Sequence, residues 1–189
     1  MLTLAAVLSM FWGMGNGHMP TIVQPTSETV IEYAVQYPPE AVPWECIRKD
    51  TLQPDAPSAD SYIHGTGATV TIPVSLPGNP IIRSVYPYAY CNSPFGGVAV
   101  LSVVVLTDEG EVHLDGEAIT ETWGWCTSLD HTINMHASDI QAVRFSFANM
   151  VHGYDIQVAA VYVAMDVIST HPGNGRYRRS GSPFGGISR

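Results

Sequence analysis

The order-promoting pattern of apolar and polar positions lies almost entirely between residue 21 and residue 169, and it is strand-like throughout. Residues 28–37 put Ile31, Tyr33, Val35 and Tyr37 on one face and Glu32 and Gln36 on the other, until Pro38 and Pro39 end the run. Residues 69–76 turn Val70, Ile72, Val74 and Leu76 inward. Pro73 falls on the outward set, where its missing N–H marks an edge. Residues 81–90 carry Ile82, Ser84, Tyr86, Tyr88 and Tyr90 on one face. Residues 97–107 are apolar on both faces, which predicts the middle of a sheet covered on both sides. Asp108, Glu109 and Gly110 predict a hairpin leading into a weaker, acidic strand at 111–122. In 140–148, Val143, Phe145 and Phe147 share a face. In 155–168, Val161, Val163, Met165 and Val167 share one face and Ile156, Val158 and Tyr162 the other, and these last two strands read as a long hairpin. A helical period appears nowhere at length. Only 129–140 has room for a short helix.

Seven or eight strands, with no helices to cross between parallel ones, predict an all-β, antiparallel sandwich. The Cys–Trp–Cys core of immunoglobulin domains is absent, because Trp123 and Trp125 adjoin Cys126. A long Pro/Gly-rich excursion at 38–67 and the final hairpin favour a jelly roll with extended N- and C-terminal arms. The chain thus divides into an apolar arm and glycine-rich joint (1–20), a sandwich (21–168) and a Gly/Arg-rich arm (169–189).

A chain of 189 residues fits one domain with appended arms. Charged residues make up 13%, against roughly 25% in typical globular domains. Small polar and aromatic residues, or neighbouring molecules, must therefore cover the surface. The single lysine, Lys49, strengthens this, since exposed lysines normally oppose association. All seventeen carboxylates lie in residues 1–175, so phosphate repulsion excludes nucleic-acid binding by the folded body. The last fourteen residues hold Arg176, Arg178, Arg179 and Arg189 and no acid, and this tail alone suits phosphate or an acidic neighbour.

The head, residues 1–12, is uncharged and apolar, with Leu4, Val7, Leu8, Phe11 and Trp12 as its candidate subunit-contact residues. It resembles the apolar region of a signal peptide without the basic leader, and it is too short for a bilayer, which needs roughly twenty residues. Its own core or a neighbour's groove are the two expected covers, with lipid contact third. Ser93-Pro-Phe-Gly-Gly97 recurs in the tail around Phe184, either by coincidence or so that the tail copy mimics the turn on a neighbour. Cys46, Cys91 and Cys126 allow at most one internal disulfide and match no zinc pattern, and free buried thiols are the favoured state.

Chemical candidates are few. His131, His136, Asp130 and Asp139 have no metal-site spacing, and His113 with Asp115 has the i, i+2 spacing of a strand but offers only two ligands, so no metal or cofactor is expected. Asp108, Glu109, Glu111, Asp115, Glu117 and Glu121 crowd one hairpin without the EF-hand order, as a solvated acidic rim and a partner for another subunit's arginines. GxSxG, GxGxxG and P-loop patterns are absent, so no enzyme is expected. Trp44, Trp123 and Trp125 are the remaining features. They either plug the sandwich ends, with Tyr86, Tyr88 and Tyr90 lining a subunit contact, or form an aromatic platform for sugar rings.

In layout the chain resembles the small single-jelly-roll shell and spike proteins of icosahedral viruses and phages, which carry extended arms and basic termini. That resemblance implies a self-assembling, non-enzymatic capsid or virion-surface subunit in a virion or extracellular setting. Its partners would be copies of itself, other virion proteins and nucleic acid held by the tail. The alternative is a carbohydrate- or receptor-binding sandwich using Trp44, Trp123 and Trp125.

Overall fold

A computed structural model describes residues 20–49, 56–127, 131–150 and 153–168. Among these residues twelve strands, numbered in chain order, form two antiparallel sheets. The seven-stranded sheet contains β1 (Thr21–Val23), β3 (Val35–Tyr37), β4 (Tyr62–Gly65), β6 (Ile81–Asn92), β9 (Gly124–Thr127), β10 (His131–His136) and β12 (Ile156–Ile168). Its order is β10-β6-β12-β4-β3, with β9 also on β6 and β1 also on β12. The five-stranded sheet contains β2 (Val30–Glu32), β5 (Thr69–Pro73), β7 (Ala99–Thr107), β8 (Gly110–Ile119) and β11 (Ile140–Asn149), in the order β2-β5-β11-β7-β8. A five-residue helix, α1 (Pro43–Ile47), follows β3. From β4 onward the chain passes between the two sheets in the alternation of a jelly roll, with β4-β12-β6-β9/β10 facing β5-β11-β7-β8.

The core lies between the sheets. Phe145 and Phe147 of β11, Ile63, Ile72, Ile82, Leu101, Val103, Val143 and Met165 are fully enclosed there. The alternation of β5 and β11 read from sequence holds, and β7 does sit between two neighbours, but its second face is not fully covered, since Val100, Ser102 and Leu106 are only half-buried. Pro73 is tolerated for the predicted reason. Val74 N–H bonds Gln141 on β11, so the Pro73 nitrogen faces the other side, where β2 pairs no farther than Thr71.

Four expectations need correction. The run 28–37 is two strands, not one. At Tyr33 (φ 57°) the backbone enters the left-handed region and the chain crosses from β2 in one sheet to β3 in the other. The final strands are no hairpin, since β11 and β12 lie in opposite sheets. The 38–67 excursion contains α1, with Cys46 and Ile47 buried, and β4. The stretch 129–140 holds β10 and a 3₁₀ turn at Ala137–Asp139 instead of an α-helix.

The sheet crossing depends on Gly65. A Cβ there would collide with the Tyr33 carbonyl, which is backbone and has little freedom to yield. Gly65→Ala is therefore expected to lower unfolding free energy by about 1–3 kcal/mol in a urea titration.

The expected subunit-contact residues of the head (Leu4, Val7, Leu8, Phe11 and Trp12), Phe184, and the arginines Arg176, Arg178, Arg179 and Arg189 lie outside the described residues. No helix among the described residues is long and apolar enough to cross a membrane.

Candidate functional site

Two single-residue bulges decide what the outer face of the seven-stranded sheet displays. In β6, Arg83 is the extra residue: Ile82 faces Val167 on the core side, whereas Ser84 faces Asp166 on the outer side. In β12, Ala159 is the extra residue: Val158 pairs with Cys91 inward and Ala160 with Tyr90 outward. Directly opposed residues share a face. Tyr86, Tyr88 and Tyr90 of β6 and Tyr162 of β12 are therefore all turned away from the core. The β12 bulge also corrects the sequence reading of that strand, because Ile156 and Val158 join Val161 and Val163 inward while Tyr162 points outward.

The outward rings form a continuous ladder across β3, β4, β12, β6 and β9. Tyr37 stacks on Tyr62 at 5.1 Å between centroids. Tyr62 meets Trp123 at 6.2 Å, and Trp123 stacks on Tyr90 at 5.5 Å and 16°. Tyr90 meets Trp125 at 5.2 Å, Trp125 meets Tyr162 edge-on at 5.6 Å, and Tyr162 stacks on Tyr88 at 4.7 Å. Alanines make this possible. With only Ala159 and Ala160 projecting from β12 between Tyr62 and Tyr90, the Trp123 ring has room to bridge the two. Tyr90 and Tyr162 form a floor, 9% and 3% exposed, while Tyr37 is 49% exposed and Tyr62, Trp123, Trp125 and Tyr88 are intermediate. Burial pushes the Tyr88 phenol above its ordinary range, with the Tyr86 phenol adding to this and a bond to Thr127 opposing it. Four strand spacings give the ladder a reach of about 19 Å, several times the width of one pyranose ring.

Beside the rings runs a polar row. Asn92, Gln157, His64 and Val35 are consecutive cross-strand partners on β6, β12, β4 and β3. His64 Nδ1 donates to Asp155 Oδ2 at 2.8 Å. A carboxylate only accepts, so Nδ1 carries the proton of this bond and Nε2 takes no part in it. Two buried polar atoms here have no protein partner, Asn92 Oδ1 and Trp125 Nε1. An unpaired buried polar atom costs free energy that a ligand hydroxyl or a water recovers. The His64–Asp155 pair is itself one-third exposed. Asp155→Ala is expected to change stability by less than about 1 kcal/mol in denaturant titration, so any larger effect of the variant must appear in binding.

The structure brings Trp123 and Trp125 together on this face, both against Tyr90. Trp44 does not join them: it sits on α1 with the Arg48 guanidinium over its ring at 5.9 Å. Tyr37, Tyr62 and Tyr162 complete the ladder, and His64, Asp155, Gln157 and Asn92 the row. Sequence reading misses them because they lie in four separate segments, although the Tyr62-Ile-His64 spacing and the paired alanines at 159–160 are visible signals. The acidic hairpin is partly satisfied within its own chain. Glu111 accepts from Arg144 at 2.9 Å, Asp108 from Gln141 at 2.8 Å, and Glu117 from the Thr127 N–H. No group of three metal-ligating side chains occurs among the described residues. A separate apolar patch, Phe95 stacked on Tyr154 at 5.9 Å beside exposed Val98 and Met150, lies on the loops after β6 and β11.

No protein-family model matches the chain, and neither does any curated protein sequence. Solved structures similar to it include the C-terminal family 6 carbohydrate-binding module of a laminarinase from Zobellia galactanivorans, at 12% identity and TM-score 0.44, covering 77% of this chain and 98% of that one. A family 29 carbohydrate-binding module in complex with cellulohexaose matches at 10% identity and TM-score 0.42, over 77% and 92% of the two chains. The xylan-binding CBM22-1 domain of Paenibacillus barcinonensis Xyn10C matches at 9% and 0.39, over 80% and 88%. All three are carbohydrate-binding modules, and none is a shell or spike protein. The expectation of a capsid subunit is corrected accordingly.

Proposed function

We propose that the protein is a non-catalytic carbohydrate-binding β-sandwich module that lays a glycan chain along the outer face of its seven-stranded sheet. The observation that carries this reading is the ring ladder bordered by a polar row whose buried Asn92 Oδ1 has no partner. A sugar chain has the complementary chemistry. The C–H faces of its pyranose rings pack on aromatic rings, and its equatorial hydroxyls reach sideways to amides and imidazole. Trp123, Tyr62 and Tyr37 supply the stacking surface, with Trp125 and Tyr88 extending it. Asn92, Gln157 and His64 supply the hydrogen bonds, and Asp155 orients the imidazole.

The test is retardation of the native protein in gels containing soluble β-glucan, xylan, mannan or α-glucan, with depletion onto insoluble cellulose and chitin alongside. At least one polysaccharide should retard the wild type, Trp44→Ala should migrate with the wild type, and Trp123→Ala should run as in a sugar-free gel. Unretarded migration in every polysaccharide, with no depletion, removes the proposal.

A further inference from the structure

On the core side of β6 and β9, directly beneath the ring ladder, Cys91 and Cys126 bring their sulfurs to 3.5 Å. Their positions on the two strands explain the approach. Cys91 opposes Gly124 and Cys126 opposes Ala89, so the thiols are diagonal neighbours with only a hydrogen and a methyl group at the other two corners. Both are buried, at 1% and 6% exposure. The third cysteine, Cys46, lies on α1 with its sulfur 3.8 Å from the Tyr37 carbonyl. All three are free thiols in this structure.

We propose that Cys91 and Cys126 are a disulfide-forming site whose bridge staples β9, the strand that carries Trp125, to β6, the strand that carries Tyr88 and Tyr90. The Cys91 thiol donates to the Cys126 sulfur, which holds the Cys126 thiol below its ordinary range, while that same bond and burial push Cys91 up. Cys126 is also the less deeply buried of the two, at 6% exposure against 1%, so it meets an oxidant first. With a low-molecular-weight disulfide as oxidant, the Cys126 thiolate attacks one of its sulfurs, forming a mixed disulfide and expelling one thiolate. Cys91 then loses its proton and attacks the Cys126 sulfur, expelling the second thiolate. The protein thiols lose two electrons and two protons, and the oxidant leaves as two thiols.

The bridge has a clear structural consequence. β9 is four residues long, and among the described residues its only strand partner is β6. A covalent tie closes the loop that contains β7 and β8 and removes conformations from the unfolded chain. The proposal concerns the strands alone and does not require that the face above them take a sugar.

The test uses the full chain, incubated with oxidised glutathione both when folded and during refolding from urea. The product is alkylated in denaturant and mapped without reductant. The expected result is a mass lower by two hydrogens before alkylation, one Cys91–Cys126 linked peptide pair and an alkylated Cys46. The melting midpoint should lie about 5–12 °C above that of the dithiothreitol-treated chain. Cys46→Ala should keep this shift and Cys126→Ala should lose it. Three alkylated cysteines under both regimes, a bridge that includes Cys46, or a Cys91–Cys126 bridge without a rise in midpoint would each overturn the proposal.

Discussion

Trp123→Ala is expected to weaken binding of the preferred oligosaccharide about 30-fold or more, with little loss of stability. Trp123 occupies the centre of the ladder, stacked on Tyr90 and in contact with Tyr62, while its exposure stays intermediate. A central aromatic ring that contacts a ligand is worth about 2 kcal/mol, which corresponds to that factor in affinity. Its removal also uncovers Tyr90, so the floor of the site is rehydrated before any sugar reaches it. Two neighbouring variants bracket the result. Tyr37→Ala, at the exposed end of the ladder, should cost less than Trp123→Ala. Tyr62→Ala should approach it, because Tyr62 links Tyr37 to the centre. Isothermal titration against the oligosaccharide identified by gel retardation, with thermal denaturation of each variant, measures both quantities.

Phe145→Ala should produce the opposite pattern, a large loss of stability with unchanged affinity in the molecules that remain folded. Phe145 is fully enclosed in the middle of the five-stranded sheet, opposite Val70 on β5 and Val103 on β7. Truncating it removes transfer free energy and leaves a cavity that two sheets fixed by their ladders cannot collapse, at about 3–5 kcal/mol. In a domain of this size that lowers the melting midpoint by about 10 °C. The ring ladder lies on the far side of the other sheet and shares no contact with Phe145, so titration well below the midpoint should return the wild-type dissociation constant.

The sandwich is legible in sequence because a period of two survives wherever a strand is regular. Alternation alone places Val70, Ile72, Val143, Phe145 and Phe147 inward, and the structure buries them all. Alternation fails where the backbone inserts a residue or reverses its hand. Arg83 and Ala159 each flip the parity of the rest of their strand, and Tyr33 divides one apparent strand between two sheets. The site suffers most from this, since Tyr162 emerges on the outer face only because Ala159 bulges. Composition likewise does not separate Trp44, on a helix, from Trp123 and Trp125 on the sheet. The assembly reading draws on the two ends of the chain, which lie outside the described residues, whereas the described face is an aromatic sheet surface whose partners are distant in sequence.

The central claim, that a glycan lies on the ladder, is tested most directly by monitoring the indole N–H signals of the four tryptophans in a nitrogen-15 correlation spectrum during titration with the retained oligosaccharide. The prediction is that the Trp123 and Trp125 signals, assigned by single substitution, move together along one saturable curve while Trp44 stays in place. A saturating titration that leaves Trp123 and Trp125 unmoved, with the response instead in backbone amides around Phe95 and Tyr154, would place the ligand on the loop end of the sandwich and contradict the account.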